Sequence, residues 1–313
     1  MKASSVVSAY KKHQSQLFYI PIVLLILAIL FLSVHFVQTG ELFKKDISLR
    51  GGIVGTIELS NDDTVYETAK VTSDLNQEFE GISFEVSQIT SRNNQVGIII
   101  ESTFESSAER EELLAFIESY FSVDITQVTL EQTESSFGDA FFRNLLGGVL
   151  LSFILMAAVV YATFRKWYPS ALVVFAVFSD IVITLAFVTL LNVKISGAGI
   201  AAFLMIIGYA VDTNILLSYR VLRTHDKTPF ERVIDASKTG LLMSGTTFAA
   251  MLAALLITNS VVIFQILLIL TIALAVDMIN TWLFNANLLQ KYLIKYDTHG
   301  QSNMKKKKRG GRK

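Results

Sequence analysis

Residues 170–191 read SALVVFAVFSDIVITLAFVTLL, an apolar run interrupted by one acid, Asp180, near its middle. A helix needs roughly 20 apolar residues to cross a hydrocarbon core about 30 Å thick. The run therefore predicts a transmembrane helix. Its aspartate requires an explanation, because an ionised aspartate at the bilayer centre costs about 2.5 to 3.5 kcal/mol on insertion scales.

Five further runs have a similar length and composition. Hydrophobic residues make up 52% of the 313 residues and the mean hydropathy is +0.49, far too apolar for a soluble protein. The first run is interpreted as an uncleaved anchor, since it exceeds the usual signal-peptide length and no A-x-A-like cleavage site follows. The sequence thus predicts an α-helical polytopic membrane protein with six transmembrane helices, at 17–37, 145–164, 170–191, 197–217, 241–258 and 261–283.

The distribution of basic residues predicts how the spans are oriented, because lysine and arginine stay on the cytoplasmic side. Bases cluster before span one, between spans two and three, between spans four and five, and after span six, as in Lys12, Arg165, Arg220, Lys238 and the tail 305–313. The alternate loops are poor in base. Both termini are therefore expected in the cytoplasm of a cell-membrane protein, with residues 38–143 extracytoplasmic.

The segment 38–143 predicts one folded domain between spans one and two. Residue periodicity indicates strands over 53–59, 84–89, 96–100 and 123–130 and helices over 64–79 and 113–121. This β-α-β-β-α-β order is the ferredoxin-like arrangement, an α+β domain with two helices on one face of a four-stranded antiparallel sheet. The predicted organisation is then 1–37, 38–143, a bundle of the remaining spans over 144–290, and a basic cytoplasmic tail over 291–313. Many acids lie on the domain's predicted helices, where they are interpreted as a solvated surface.

Three aspartates fall inside spans, namely Asp180, Asp212 and Asp277. Asp212 lies fifteen residues after Gly197, or roughly 22 Å along a helix axis, which places it nearer the cytoplasmic side. We expect all three to face a shared interior. A carboxyl group held there can act as a proton relay if water reaches it, and the alternative is a carboxyl that only hydrogen-bonds between packed helices.

Residues on the same helix faces favour a polar seam in a tight bundle. Gly208 lies one turn before Asp212, and Asn280 and Thr281 lie one turn after Asp277. Span five carries Gly245, Ala249 and Ala253, a small-xxx-small pattern that lets helices approach closely.

Other chemistry finds little support in the sequence. The chain has no cysteine, its four histidines lack metal-ligand spacing, and no phosphate-cradling loop occurs. We therefore expect a protein that is not an enzyme and uses neither cofactor nor metal. The basic tail is expected to contact anionic membrane lipid, or to act as a topology signal, rather than to bind nucleic acid.

Several motifs together give a resemblance to a known family. They are DISLRGG over 46–52, with Asp46, Arg50, Gly51 and Gly52; GYAVDTN over 208–214, with Gly208, Asp212 and Asn214; SGTT over 244–247; DMINTW over 277–282; and the shorter Ser179-Asp180 and Phe137-Gly138. Over nearly its whole length the chain resembles the SecF group of the SecD/SecF family, within the RND superfamily, and especially its archaeal members. These proteins are the smaller of two membrane subunits accessory to the general protein-export translocase.

The resemblance implies partnership with SecD, the Sec translocase channel and exported preproteins, and use of the proton motive force through intramembrane aspartates. Two departures matter. Bacterial members carry Asn-Asp where this chain has Asp212-Thr213, so Asp212 is more similar to the SecD aspartate. The bacterial span-five arginine matches Thr239, and Lys238 beside it is a candidate replacement for that positive charge.

We thus predict an energy-coupling subunit for protein export, with Asp212 as the first relay candidate and Asp180 and Asp277 as the others. One alternative is an exporter of small solutes or lipids, driven by protons, from the same superfamily. A second alternative is a structural assembly factor without energy coupling.

Overall fold

The computed structural model describes residues 12–58, 66–79, 82, 84–91, 94–102, 107–121, 123, 128–133, 135–224, 226–258 and 260–295. Residues 296–313 of the basic tail and some predicted surface acids lie outside these ranges. The chain divides into two compact units. One contains residues 45–148 and 194–197, and the other contains the described residues up to Lys44, those over 149–193 and those from Ala198 onward.

The elements follow one another in this order: α1 (Tyr19–Thr39), α2 (Ile47–Arg50), β1 (Gly52–Glu58), α3 (Thr68–Glu78), β2 (Phe84–Ser91), β3 (Asn94–Ser102), α4 (Ser107–Phe121), β4 (Val128–Thr133), α5 (Ser135–Phe164), α6 (Trp167–Leu190), α7 (Gly197–Arg223), α8 (Pro229–Ile257), α9 (Val261–Ile279) and a π-helix (Asn280–Asn285). Helical residues 286–295 continue from the π-helix.

The unit that contains residues 45–148 is built on a four-stranded sheet in the order β2-β3-β1-β4, with every neighbouring pair antiparallel. Alternate residues of β1 and β3 point to one side, so Ile53, Ile57 and Ile98 are buried. Helices α3 and α4 cover them with Leu75 and Leu113. The order of strands and helices along the chain is the predicted one.

Two details of the sheet differ from the sequence prediction. The last strand was predicted to begin at Val123, but it begins at Val128, while Val123 is buried in the core outside the strand. Its apolar side chain favoured a strand in the sequence prediction. In a short stretch of sequence, an apolar residue indicates burial but does not distinguish a strand from a buried loop. The first domain helix was predicted from residue 64 and begins at Thr68, and residues 59–65 lie outside the described ranges.

The glycines of the DISLRGG motif meet a backbone requirement. The single turn α2 ends where Gly51 and Gly52 adopt φ angles of 85° and 135°. Both values lie where side chains with a Cβ are strained, so glycine lets the chain turn directly into β1. Asp46 accepts hydrogen bonds at its carbonyl from the backbone N–H groups of Leu49 and Arg50.

Six helices of the described residues are long and apolar enough to cross a membrane, which confirms the predicted number of spans. They cover Lys12–Thr39, Ala140–Phe164, Trp167–Leu190, Gly197–Arg223, Pro229–Ile257 and Val262–Lys295. Some helices extend beyond their apolar runs. Helix α8 begins at Pro229 rather than near residue 241, because Thr228 and Glu231 form a capping box and proline occupies the first turn.

Helix α6 is the most enclosed of these helices. Over its most apolar stretch 56% of the residues are buried, against 11% for α5 and 17% for α8. One side of α6 packs on α1 and α9 through Ile183, Leu25 and Val276, and another packs on α5 and α7. A polar residue in the middle of α6 is therefore surrounded by protein rather than lipid.

Candidate functional site

The central polar cluster lies where α6, α7 and α9 meet. Asp180 of α6 is completely buried, and Asp277 of α9 is 3% exposed. Asn214 of α7 and Thr281 of the π-helix are also completely buried beside them. Buried polar groups need hydrogen-bond partners, so the local partners decide what this cluster can do.

The carboxylate of Asp277 receives donors from two helices. The Thr213 hydroxyl, which has one proton to donate, lies within hydrogen-bonding distance of both oxygens, at 3.1 Å from Oδ1 and 2.9 Å from Oδ2. The Thr281 hydroxyl donates to Oδ1 at 2.9 Å, and Asn214 Nδ2 donates to the same oxygen at 3.4 Å. Thr281 is available because it lies one helical turn after Asp277. All of these donors are neutral, so they solvate the carboxyl group without neutralising it.

The carboxyl group of Asp180 has a different environment. Asn280 Nδ2 donates to Asp180 Oδ1 at 2.6 Å and also to Ser179 Oγ at 3.0 Å. The second oxygen, Oδ2, is buried and has no donor among the described residues. The carboxyl group of Asp277 is close enough to interact with that of Asp180.

Two ionised carboxylates cannot hydrogen-bond to each other, because both are acceptors only. Side by side in an enclosed site they also repel strongly. A proton shared between Asp180 and Asp277 would supply a hydrogen-bond donor and remove one of the two charges. The geometry therefore fits an acid pair that binds and releases a proton. Hereafter Asp180 and Asp277 are called the acid pair.

A π-helix at Asn280–Asn285 completes the cluster on the α9 side. The wider turn is closed by a bond from the backbone N–H of Ala286 to the carbonyl of Thr281. It brings Asn285 inward, where its Nδ2 donates to Asn214 Oδ1. Short π-helices are rare and occur frequently at functional sites. Here the turn adds an amide, five residues after Asn280, to the same buried cluster.

A small cavity borders Asp277. It has a volume of about 10 Å³ and is lined by Ile206, Tyr209, Met251 and Ala273 together with four other residues including Asp277. That volume is about the minimum needed for one water molecule. Tyr209 is 40% exposed on the outer side of α7, so the cavity lies between the acid pair and that side of the helix.

Asp212 does not join the acid pair, although we expected the three aspartates to share one interior. It is exposed, on the side of α7 that also carries Ala201, Met205 and Gly208. A Cβ added at Gly208 would meet no atom within 4 Å. This exposed side, with Tyr209, is called the open face of α7. Asp212 lies inside a helix that runs from Gly197 to Arg223, so its open surroundings are at membrane depth.

The predicted replacement for the bacterial span-five arginine also has a different setting. Lys238 is 68% exposed and pairs with Asp235 at 3.3 Å. At the neighbouring position, Thr239 Oγ1 accepts a hydrogen bond from Arg220 Nη1 of α7 at 2.7 Å. A guanidinium group is thus placed at Thr239 by the adjacent helix, which the span-five sequence alone did not indicate.

Comparison with known proteins places these residues in a family. A model of the family described as "Protein export membrane protein SecD/SecF, C-terminal" matches residues 114–295, which include all three intramembrane aspartates. The chain belongs to the SecD/SecF family. Among curated members, the "Protein-export membrane protein SecF" of Methanocaldococcus jannaschii is 34% identical over 88% of this chain and 95% of that protein. The protein of the same name from Pyrococcus furiosus is 32% identical over 88% of this chain and 90% of its own length.

Solved structures of the SecD/SecF family share the fold. The crystal structure of SecDF from Thermus thermophilus, described as a translocon-associated membrane protein, aligns with a TM-score of 0.70 at 20% identity over 92% of this chain. SecDF in a super-membrane-facing form aligns with a TM-score of 0.59 at 21% identity over 93% of this chain. The chain spans 38% and 40% of the length of these two solved chains. Membership of the SecD/SecF family and the six apolar helices make the chain a multi-pass membrane protein.

Sequence reasoning found Asp180, Asp277, Asn280, Thr281 and Asn214, and the structure brings these five together. It did not assign roles to Thr213 and Asn285. Thr213 had a signal, because a hydroxyl next to an intramembrane aspartate is unusual in an apolar run. Asn285 had none, since only the π-helix turns it toward Asn214.

Proposed function

We propose that this chain is an accessory subunit of the Sec protein-export machinery that works with SecD and uses the proton motive force to promote translocation and release of exported proteins. Its curated relatives are named protein-export membrane proteins. The observation that carries the energy-coupling part is the acid pair, in which the buried Asp180 Oδ2 has no donor among the described residues and the carboxyl group of Asp277 lies beside Asp180. The chain itself has no enzymatic role in this proposal.

Proton exchange would change the packing of α6 against α9. With one proton the acid pair holds the two helices together, and without it two negative charges repel across the same contact. Asn280 bonds to Asp180 and Thr281 bonds to Asp277, so the π-helix responds to both. One proton crossing 100 mV gains about 2.3 kcal/mol, which is comparable to typical coupling free energies between two states.

The proposed route for the proton runs from the open face of α7 to the acid pair. The cavity beside Asp277 has room for about one water molecule and is lined by Tyr209 from that face. Asp212 lies one turn after Tyr209 on the same face. In this proposal Asp212 collects the proton and the acid pair uses it, so the relay needs both.

The open face of α7 is also an argument for a partner subunit. A carboxylate facing lipid costs several kcal/mol, so an exposed Asp212 at membrane depth requires a protein or water on its other side. We propose that SecD covers this face together with the small residues of α8, where a Cβ on Gly245 would meet no atom within 4 Å. Contacts with the translocase channel and with exported preproteins would then fall to the extracytoplasmic domain.

The proposed orientation places both termini in the cytoplasm and residues 38–143 outside. It rests on the basic residues Arg165 and Lys166 between α5 and α6 and on Arg220 and Arg223 in the last turn of α7, following the rule that basic residues near span ends stay in the cytoplasm. The tail 305–313 would contact anionic lipid on that side.

The test is export into membrane vesicles that contain this chain, SecD and the channel, with and without an uncoupler. Asp180→Asn and Asp277→Asn should each remove most of the uncoupler-sensitive export while leaving SecD bound. Asp226→Asn is the matched control, since Asp226 is an exposed acid outside the spans. Uncoupler-sensitive export at the normal level in both acid-pair variants would reject energy coupling and leave an assembly factor.

A further inference from the structure

The loop between α6 and α7 is bonded at its backbone to the segment just before α2. The backbone N–H of Asp46 donates to the carbonyl of Ile195 at 3.0 Å, and Lys45 forms a parallel bridge with Ile195. Residues 194–197 belong to the same compact unit as the sheet. Asn192 has a φ of 59°, so the chain turns sharply as it leaves α6.

Two acidic residues lie next to each other on adjacent strands of the sheet. Glu85 of the edge strand β2 lies directly opposite Glu101 of β3 in the antiparallel register. Like charges at directly opposite positions destabilise a sheet. A positive charge close to both carboxylates is therefore needed to offset their repulsion.

Lys194 supplies that charge from the loop. Its Nζ forms an ion pair with Glu101 Oε2 and a second one with Glu85 Oε2 at 3.0 Å. The lysine and Glu101 side chains are only 21% and 18% exposed, so water screens this contact weakly. Burial raises the pKa of Glu101, and the bond from Lys194 only partly offsets that effect.

Lys194 lies in the loop that connects two helices of the central polar cluster. The loop that carries it joins the helix with Asp180 to the helix with Thr213, which binds Asp277. Any movement of those two helix ends must pass through this loop. Because the loop is fixed by its side chain at β2 and β3 and by its backbone at residues 45 and 46, such a movement would be passed directly to the sheet.

We propose that Lys194, Glu85 and Glu101 form a clasp through which protonation of the acid pair moves the extracytoplasmic sheet. Lys194 is then a positioning residue of the export mechanism, although it contacts neither the proton nor the exported chain. This inference rests on the proposed function. A merely stabilising ion pair would instead be dispensable for motion as long as the protein stays folded.

The experiment follows motion and proton binding separately in the full chain with SecD in liposomes. The chain has no cysteine, so spin labels can be placed at Glu118→Cys on α4 and Leu27→Cys on α1, both exposed. Electron–electron resonance gives the distance distribution between the labels at two values of pH. Infrared difference spectra report carboxyl protonation, and the signal of the acid pair is the part that is lost in Asp277→Asn.

Lys194→Met should abolish the pH-dependent shift in the label distance while leaving the infrared signal of the acid pair unchanged. Lys70→Met, at an exposed lysine of α3, should retain both. The charge swap Lys194→Glu with Glu101→Lys should restore the shift, which a nonspecific loss of stability would not allow. A normal pH-dependent shift of the label distance in Lys194→Met would reject the clasp but not the proposed role of the acid pair. If the chain with its natural Lys194 and acid pair showed no infrared signal of carboxyl protonation, both the proposed function and the clasp would be rejected.

Discussion

Asn280 donates a hydrogen bond of 2.6 Å from its Nδ2 to Oδ1 of Asp180, across the contact between the π-helix and α6. Asn280 follows Asp277 by one turn, so one segment presents both a carboxyl group and an amide to the same buried aspartate. In the proposed function, α6 and α9 would therefore respond as a pair to a single proton.

Asn280→Leu should destabilise the protein by about 1 to 3 kcal/mol, because the Oδ1 atom of Asp180 loses its donor while remaining buried. It should also reduce uncoupler-sensitive export. Thermal unfolding in detergent and vesicle export measure the two effects. The control is Asn287→Leu, an equally buried asparagine that donates to the backbone carbonyl of Gln14. If both variants lose stability equally and neither alters export, Asn280 is only a packing residue.

Gly240→Ala should destabilise the helix bundle, because the added Cβ would lie 2.2 Å from Cζ2 of Trp282. Overpacking of this kind typically costs about 1 to 3 kcal/mol, more than the gain in helix propensity. Gly245→Ala in the same helix meets no atom within 4 Å, so the isolated chain should be as stable as before or slightly more stable. Unfolding in detergent compares the two. Equal stabilities would show that Trp282 moves aside freely.

Met205→Trp should weaken the association with SecD without changing the stability of the isolated chain. Met205 lies on the open face of α7 and is 45% exposed, so a larger ring would obstruct a partner there but nothing within the chain. Leu150→Trp on α5, where the original side chain is 65% exposed, is the matched control. Copurification of SecD measures the effect, and equal recovery with both variants would place the partner elsewhere.

Lys194→Met should destabilise the protein near pH 7 by about 1.5 to 3 kcal/mol and much less near pH 4. Burial would lower the pKa of Lys194, but bonds to Glu101 and Glu85 raise it above 10.5, so the lysine is charged throughout this range and loses its charge only at higher pH. The pKa of Glu101 is raised above 4.5, so ionising it opposes folding as the pH rises through that window. Without Lys194, ionising Glu101 would destabilise the folded protein more.

Thermal unfolding at the two pH values checks this dependence, with Lys70→Met as the control. As the pH falls through the raised pKa of Glu101, its carboxyl group becomes protonated with or without the lysine, so less attraction remains to be lost. A deficit of the same size at both pH values would mean that Lys194 acts through packing rather than through charge.

The sequence alone indicated which polar residues would be enclosed at the end of span six, because Asn280 and Thr281 share the face of Asp277. It did not indicate how far each helix is rotated relative to its neighbours. For Asp212 the small residue Gly208 suggested close packing, and in this chain that side of α7 is open. Small residues signal a close neighbour, but they do not say whether the neighbour belongs to the same chain.

What the sequence by itself determined is the number of spans, the order of strands and helices, and the presence of three aspartates at membrane depth. Each follows from hydrophobic length or periodicity, which act within one element. Only the tertiary structure decided that Asp180 meets Asp277, that Asn285 turns inward, and that Lys194 reaches Glu85 and Glu101. These contacts join residues far apart in the chain, and their formation depends on how elements pack, which no local pattern encodes.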